Sequence, residues 1–329
     1  MKSNFVQFQS DQISDALPSI QTGMYSLVIC IPTYKRPLML KKLIVSIISS
    51  NINMAIIKDV NIIVMDNDID KTAEKIVQGL QKKSYGISKL HYFNYDRKGL
   101  ANVRNKLFKT ALEYNPDFIV GIDDDEYVTT EWLNELVSTI ISTNGDIAVA
   151  PYHPVFEPQV PSYISYWFKH PSLTNNESIK FFHAGNYIIC CSFLLQQKIE
   201  FDPRFNTTGA EDTFFGVTAM KKGGKIYWAK KAIAYEIFDK NRACLNWLIK
   251  RRFRSAITYT YILILEKEYY LLLKKIVANI IYLVSGIIAL LLFPVKFKYR
   301  YWGVLKLAES FGGFAALVNI KFHEYQKGK

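Results

Sequence analysis

Short apolar runs alternate with amphipathic stretches along the first half of the chain. Between these runs, residues 37–50 and 100–113 carry apolar side chains at helical spacing, and the first of the two begins with a proline, which is typical of a helix start. The runs themselves are mostly β-branched or aromatic, are bounded by polar or turn residues, and therefore predict strands at 27–31, 60–65, 90–93, 118–122 and 147–150. This alternation predicts an α/β fold with a mostly parallel, doubly wound sheet covered by helices on both faces.

The pattern changes near Asn241. From there onward the chain is basic, aromatic and apolar, shows no clear strand pattern, and predicts long helices. We therefore predict three parts: an N-terminal extension over 1–25, an α/β domain over 26–240, and a helical, membrane-associated region over 241–329.

Residues 276–295 form an uncharged run of 20 residues, which is the length of a membrane-spanning helix. Basic residues flank the run on both sides, whereas a spanning helix carries its positive charge mainly on the cytoplasmic side. The flanks favour a hairpin or an interfacial helix whose two ends face the same anionic leaflet, with a true span and a buried core helix as alternatives. The flanking basic residues are Lys250, Arg251, Arg252, Arg254, Lys274 and Lys275 before the run, and Lys296, Lys298, Arg300 and Lys306 after it.

Composition narrows the class of partner and the compartment. The chain has 41 Lys and Arg against 29 Asp and Glu, a net charge of +12, so an anionic partner is expected: a nucleotide, a membrane surface or nucleic acid. The four cysteines lack paired CxxC spacing and are expected to be reduced thiols, which suits the cytosol. Residues 1–20 lack the pattern of a secretory signal, and we expect the protein at the cytoplasmic face of the cell membrane.

Polar clusters follow three of the five predicted strands, where ligands bind in such sheets: residues 32–37, 66–68 and 123–126. Three adjacent acids, Asp123 to Asp125, repel one another unless a cation lies among them. Mg²⁺ or Mn²⁺ held by one or two carboxylates and bridging substrate phosphates is the usual solution. The alternative is a solvated acidic turn that caps the helix expected from Thr130.

A second acidic pair begins a later helix. Thr208 and Glu211 stand three residues apart before an apolar helical run, which is the signature of a capping box. Asp212 lies about 100° further round that helix and is left without a structural task. A carboxylate near a helix N-terminus stays ionised and is able to act as a general base, although a simple helix-start acid fits the spacing equally well.

Six motifs, in this order, resemble glycosyltransferase family 2 and within it the bacterial succinoglycan-type glucosyltransferases: CIPTYKRP, VMDND, GLANVRN, GIDDDE, TTGAEDTFF and AYEIFDKNR. They cover residues 26–255, and a hydrophobic tail is also familiar in that subgroup. The resemblance implies a GT-A fold, a Rossmann-like nucleotide-binding sheet joined to an acceptor-binding half, and inverting transfer. The chain departs from the family at Ala210, where glycine is frequent, and at the late metal-ligand position, where Glu236 lies nearby and histidine is absent.

The resemblance also implies roles for particular side chains. Asp66 and Asp68 would contact the base and ribose, with Asp66 favoured; Asp123 to Asp125 would be the DxD metal motif, with Asp125 the direct ligand. The remaining implied donor contacts are Pro32, Thr33, Tyr34, Arg36, Arg104, Asp123 and Asp124, and the further metal ligands are Asp123 and Glu236.

On the acceptor side, Asp212 would be the catalytic base, and Glu211 would face the acceptor or be structural. Arg242 is a candidate for neutralising the leaving diphosphate, because a guanidinium fork suits phosphate oxygens, although the neighbouring residues 250–254 would equally suit lipid headgroups. His183 and Asn186 are candidates for sugar or acceptor contact, with a core role as the alternative for the histidine.

The sequence therefore predicts an inverting transferase that moves a sugar from a UDP-hexose type donor to a hydroxyl of a glycan or lipid-linked acceptor in surface polysaccharide synthesis, with Mg²⁺ or Mn²⁺ as cofactor. A metal-dependent nucleotidyltransferase is one alternative, but it usually needs a glycine-rich phosphate loop, and residues 30–37 contain no glycine. A non-catalytic basic protein that binds membrane or nucleic acid is the other, and for such a protein the acidic triplet would be an electrostatic liability. We expect no nucleic-acid partner.

Overall fold

The computed structural model describes residues 25–82, 88–157, 159–168, 172–239, 241–292, 294 and 298–320. Most of the predicted N-terminal extension, residues 1–24, lies outside the described residues, as do residues 293 and 295 at the end of the apolar run.

Strands and helices alternate as the hydrophobic pattern predicts. The strands are β1 Tyr25–Thr33, β2 Ile57–Asp66, β3 Ser88–Asn94, β4 Phe118–Ile122, β5 Glu126–Val128, β6 Ile147–Val149, β7 Tyr152–Glu157, β8 Glu177–Ser178, β9 Asn186–Cys190, β10 Ile226–Trp228 and β11 Ala234–Asp239. The helices are α1 Pro37–Ile48, α2 Glu74–Gln81, α3 Leu100–Leu112, α4 Trp132–Thr143, α5 Ser162–Ser165, α6 Cys191–Gln197, α7 Glu211–Lys221, α8 Leu245–Leu265, α9 Tyr269–Leu291 and α10 Lys298–Leu317. All five predicted strands are present, as β1, β2, β3, β4 and β6.

The large sheet has eight strands in the order β3-β2-β1-β4-β9-β6-β10-β8. The first four run parallel, which confirms the mostly parallel α/β fold. Strand β9 differs, because it lies in the middle of the sheet and runs antiparallel to both β4 and β6. Residues 186–189 are buried, and an apolar run of this kind reads the same in either direction, so the pattern carried no information on strand direction.

Helices cover both faces of this sheet. Along β1, Leu27, Ile29 and Ile31 point to one face and Val28 and Cys30 to the other, and all five are almost completely buried. The first face is covered by α1, α2 and α4, and the second by α3, α6 and α7. A strand buried on both sides needs apolar residues at consecutive positions, which explains the continuous run that predicted it.

A second sheet of three short strands, in the order β5-β11-β7, was not predicted. Its strands mix acids, tyrosines and a histidine with apolar residues, so they lack a simple alternating pattern. In this sheet Glu126 lies directly opposite Glu236. The sheet thereby brings two more carboxylates close to the end of β4.

The long C-terminal helices pack on one another through glycines. On α9 and α10, Gly286 and Gly303 approach so closely that a Cβ at Gly303 would lie 2.9 Å from the carbonyl oxygen of Gly286. At Gly312, α10 similarly meets the backbone of Phe253 on α8. Small residues allow this close approach of helix backbones.

Helix α9 contains most of the predicted apolar run. It is the helix, among those described, that is long and apolar enough to cross a membrane, and only 11% of its most apolar 18-residue window is buried. The alternative of a buried core helix is therefore wrong, because most of this helix faces away from the protein.

Gly121 of β4 offers a test of the central packing. A Cβ at this position would lie 2.1 Å from the ring of Tyr187, which is buried on the neighbouring strand. We expect Gly121→Ala to lower the free energy of unfolding by about 1–3 kcal/mol, because the ring has to shift within a closed core. Urea unfolding measures this.

Gly79→Ala on α2 is the matched control, since its Cβ would meet nothing within 4 Å. We expect it to raise the free energy of unfolding by about 0.5–1 kcal/mol. Equal losses in the two variants would contradict the proposed contact with Tyr187.

Candidate active site

The polar segments after β1 and β4 are bonded together, as their position at neighbouring strand ends predicts. Thr33 donates from Oγ1 to Oδ2 of Asp124 at 2.8 Å. Arg36 donates from one guanidinium nitrogen to Oδ1 of Asp124 at 3.0 Å and to Oδ2 of Asp125 at 2.9 Å. A left-handed backbone at Lys35, with φ of 55°, turns the chain before α1 begins at Pro37. The turn places Arg36 against the acids.

Two other residues of this segment differ in exposure. Pro32 is half-buried, and the ring of Tyr34 is 49% exposed. An exposed aromatic ring beside a polar cleft is available for stacking on a flat ligand.

After β2, the two aspartates differ in how far the protein itself satisfies their carboxylate oxygens. Asp66 is completely buried, and its oxygens accept three hydrogen bonds from the protein, from the backbone N–H of Asp68 and of Ala73 and from the hydroxyl of Tyr92, each at 3.0 Å. Asp68 is 1% exposed, and its Oδ2 accepts no hydrogen bond from the described residues. Asp66 therefore shapes the loop, and Asp68 is the aspartate with acceptor capacity left for a ligand.

Arg104 joins the acidic triplet to the second acidic pair. From its buried position on α3 it donates to Oε1 of Glu211 at 2.6 Å and to Oδ1 of Asp123 at 2.9 Å. These two acids raise the pKa of Arg104 despite its burial, so it remains a fixed cation. Burial raises the pKa of Glu211 to about 7, against the opposing effect of Arg104.

The prediction of a capping box at the start of α7 is wrong. Ala210 is the residue before α7 and has a left-handed backbone with φ of 70°, so no side chain caps the helix there. Thr208 donates instead to the carbonyl oxygen of Gly209. Glu211 turns to Arg104, because a buried carboxylate is better satisfied by a guanidinium than by a single backbone N–H.

Asp212 has the position expected of a reactive acid. Its Oδ1 accepts from the backbone N–H of Thr213 at 2.6 Å, which holds the carboxylate at the N-terminus of α7. It lines a cleft of about 410 Å³ together with Arg104, Asp123 and Glu211. The structure thus brings both predicted acidic clusters to one cavity.

Arg242 lies between the carboxylates predicted to share a metal. It donates to Oδ2 of Asp125 at 2.6 Å and to Oε1 of Glu236 at 2.5 Å. Burial raises the pKa of Glu236 to about 7 and, opposite it, raises that of Glu126 well above its ordinary value. Burial likewise raises the pKa of Asp124 to about 6. The carboxylates at the site therefore outnumber the arginine side chains that pair with them.

The residues fit a divalent cation only in part. Among the described residues, no three His, Cys, Asp or Glu side chains form a group that would hold a metal alone. The metal role of Glu236 is wrong, because Arg242 stands between it and Asp125. Asp123 and Asp125 do fit, since the hydrogen bonds of the described residues engage one oxygen of each, and a cation shared with a diphosphate typically needs one or two carboxylates.

The two sugar-contact candidates of the FFHAGN segment differ in burial, since Asn186 is buried and His183 is half-buried. Asn186 is completely buried; its amide donates to the carbonyl oxygens of Pro151 and Ala232 and accepts from the indole of Trp132. The ring of His183 packs edge-on against Tyr152, at 5.7 Å between centroids. Asn186 is therefore structural, whereas His183 is half-buried and packs on an aromatic ring.

Helix α8 supplies site residues that sequence reasoning assigned elsewhere. Arg251, Arg254, Ser255, Thr258 and Tyr259 line the same cleft as Asp212. These residues recur at spacings of three and four, which places them on one face of the helix. This spacing is the sequence signal that could have grouped them in one site. Arg251 and Arg254 thus face the cleft, which corrects the suggestion that residues 250–254 face lipid headgroups.

Comparison with known proteins identifies the fold. The chain is 28% identical over 200 residues to the succinoglycan biosynthesis protein ExoM of Rhizobium meliloti (strain 1021), a match that covers 60% of this chain and 63% of that protein. The structure of S. aureus TarS 1-349 in complex with UDP-GlcNAc superimposes with a TM-score of 0.52 at 14% identity, over 89% of this chain and 92% of that one. GalNAc-T7 with UDP, GalNAc and Mn²⁺ gives a TM-score of 0.51 at 14% identity, over 72% of this chain and 51% of that one. These likenesses confirm the GT-A fold.

The family follows from a separate match. A sequence model described as "Glycosyl transferase family 2" matches residues 28–200, which is more than half of the chain and includes the segments after β1, β2 and β4. The chain therefore belongs to glycosyltransferase family 2.

Proposed function

We propose that the protein is an inverting glycosyltransferase that moves a sugar from a UDP-sugar to a hydroxyl group of a glycan or lipid-linked acceptor in surface polysaccharide synthesis. Membership of the family supports transfer, and neither the nucleotidyltransferase nor the non-catalytic alternative fits it. ExoM is named for succinoglycan biosynthesis, and the TarS and GalNAc-T7 structures hold UDP or a UDP-sugar. The observation that carries the proposal is the single cleft that joins Asp123, after β4, to Asp212, at the start of α7.

The donor end lies at the ends of β1 and β2. Asp68 presents a buried oxygen that is able to accept a hydrogen bond from the base or the ribose. On the neighbouring strand β1, Thr33 and the half-buried Pro32 form the last two positions, and the exposed Tyr34 follows them directly. These residues offer a nucleoside a hydrogen-bond acceptor and an exposed aromatic ring.

The diphosphate end lies between Arg36 and Arg242. Both guanidinium groups already contact Asp125, so anionic oxygens placed there meet two fixed cations. When bound by Asp123 and Asp125, Mg²⁺ or Mn²⁺ would neutralise further charge on the leaving diphosphate. Inverting transfer needs this stabilisation opposite the attacking hydroxyl.

The attacking hydroxyl needs a base on the other side of the sugar, and Asp212 is the acid that is free to act. Glu211 is 3% exposed and is held by Arg104, whereas Asp212 is partly exposed in the cleft. The backbone N–H of Thr213 holds the Asp212 carboxylate in place, and a carboxylate is able to accept a proton from a hydroxyl group. We assign Asp212 as the base and Glu211 as the residue that orients Arg104.

The protein is proposed to bind the cytoplasmic face of the membrane through α9. On its outward face, Ile280, Ile281, Val284 and Ile288 are each about half exposed, at helical spacing. An exposed apolar face of this length is typical of a helix that lies in or crosses a bilayer.

The base assignment predicts that Asp212→Asn lowers turnover by at least about a hundredfold, because the amide cannot accept the proton. The melting temperature and UDP-sugar affinity are expected to remain near wild type. The assay follows transfer from a panel of radiolabelled UDP-sugars to lipid-linked acceptors in native membranes.

Glu211→Gln is the companion variant. It is expected to lower the free energy of unfolding by about 1–3 kcal/mol, since Arg104 loses a charged partner in the core. If Asp212→Asn retains transfer within a few-fold of wild type, the base assignment moves to Glu211.

The metal proposal predicts that EDTA lowers the affinity of the wild-type protein for UDP by at least about tenfold, or about 1.4 kcal/mol. In Asp125→Ala, EDTA is expected to have no effect on UDP affinity. In Glu236→Gln it is expected to act as in wild type, because Glu236 bonds to Arg242 and lies apart from the proposed ligands. Calorimetry with UDP measures all three, and an EDTA-insensitive wild type would contradict the metal role.

The membrane proposal predicts that wild-type protein floats with phosphatidylglycerol vesicles and that the double variant Ile281→Glu, Val284→Glu does not. Each buried charge costs about 2.5–3.5 kcal/mol in the bilayer centre. Leu195→Glu on α6 is the control, since Leu195 is 56% exposed but lies away from α9. Flotation of the double variant with the vesicles would exclude α9 as the anchor. A periplasmic signal from a C-terminal reporter would indicate a span rather than a hairpin.

A further inference from the structure

A second pocket of about 260 Å³ lies on α8 beside the cleft, and we call it the α8 pocket. One face of α8 forms its wall with Leu248, Arg251, Arg252 and Ser255, and Tyr152 and Trp167 form the opposite side. None of the residues proposed to bind the donor lines it. The volume is below the about 300–1,000 Å³ of sites for drug-sized ligands, so it suits a single sugar unit rather than a nucleotide.

The lining of the α8 pocket is aromatic and cationic. Arg251 lies 4.9 Å from the centre of the Trp247 ring, and Arg252 lies 4.7 Å above the ring of Trp167. No carboxylate is among the described residues that line the pocket. Aromatic rings offer apolar faces for a sugar ring, and guanidinium forks match a carboxylate or phosphate.

The carboxylate that pairs with Arg252 is shared with a second cation. The carboxylate paired with Arg252 is that of Glu309, at a distance of 3.9 Å, and Glu309 is shared with Lys275 at 3.8 Å. Burial and the nearby Arg251 lower the pKa of Arg252, whereas Glu309 raises it. An anion in the pocket would relieve this repulsion.

The α8 pocket adjoins the cleft, because Arg251 and Ser255 line both. A ligand whose reacting hydroxyl lies at Asp212 would therefore place its neighbouring sugar beside Arg251. We propose that the α8 pocket binds an anionic sugar unit of the acceptor, one that carries a carboxylate or a phosphate. The assignment to the acceptor rests on the proposed transferase function, whereas binding of the anionic sugar does not.

The test is a binding measurement that needs no turnover. With UDP present at saturation to occupy the donor site, ligand-detected NMR compares methyl β-D-glucuronide, glucose 1-phosphate and the neutral methyl β-D-glucoside. At least one anionic sugar is expected to bind about tenfold more tightly than the neutral one, and the better of the two identifies carboxylate or phosphate as the preferred group. Equal affinity for all three would overturn the proposal.

Variants locate the binding. Arg252→Gln is expected to abolish the preference for the anionic sugar, Arg252→Lys to retain part of it, and Lys109→Gln, an exposed charge on α3, to leave it unchanged. An undiminished preference in a folded Arg252→Gln would overturn the assignment. If Arg252→Gln instead loses flotation on phosphatidylglycerol vesicles and keeps its sugar binding, the arginine serves lipid headgroups and the proposal fails. A transfer assay that fails while the sugar preference persists would overturn the transferase function alone.

Discussion

Mutual repulsion among buried carboxylates at the end of β4 is the constraint on which the site depends. Three arginines from separate parts of the chain hold these acids: Arg36 before α1, Arg104 on α3 and Arg242 before α8. Each arginine contacts two acids, so the network links the sheet to the starts of α1, α7 and α8. A buried ion pair contributes little net stability against apolar residues of the same volume, but removal of one partner is costly. The network therefore acts mainly to set geometry.

Some polar side chains of the site make their hydrogen bonds within the protein and hold its structure, and others keep bonding capacity for a ligand. Asp66, Asn186 and Glu211 are buried, and their partners lie in the protein. Asp68 retains an oxygen without a partner among the described residues, and Asp212 opens into the cleft. Motifs of adjacent acids thus divide into one member that holds the loop and one that is available to a ligand, since a buried polar group without a partner is costly unless a ligand supplies one.

Helix α8 connects the proposed chemistry to the proposed membrane contact. One of its faces lines the cleft and the α8 pocket, and the helix also packs on α10, which packs in turn on α9. The close glycine contacts between these helices leave little room for independent movement. An acceptor held at the membrane would therefore contact α8, whose position depends on α9, the proposed membrane anchor.

Local pattern by itself determined the strands β1, β2, β3, β4 and β6, the helices α1 and α3, and the apolar length of α9. These follow from periodicity and composition over a few residues, which act before any distant contact forms. The six motifs in their order also sufficed to predict the family. The parallel pattern further placed the polar segments after β1 and β4 at one edge of the sheet, because parallel strands end at the same edge. Tertiary structure alone decided the antiparallel direction of β9, the small sheet that opposes Glu126 to Glu236, and the partner of Glu211. Arg104 and Glu211 are 107 residues apart in the sequence, so local spacing could not predict their contact. Glu211 pairs with Arg104 and does not form the predicted capping box, because in the buried site a guanidinium satisfies a carboxylate better than a local backbone N–H does.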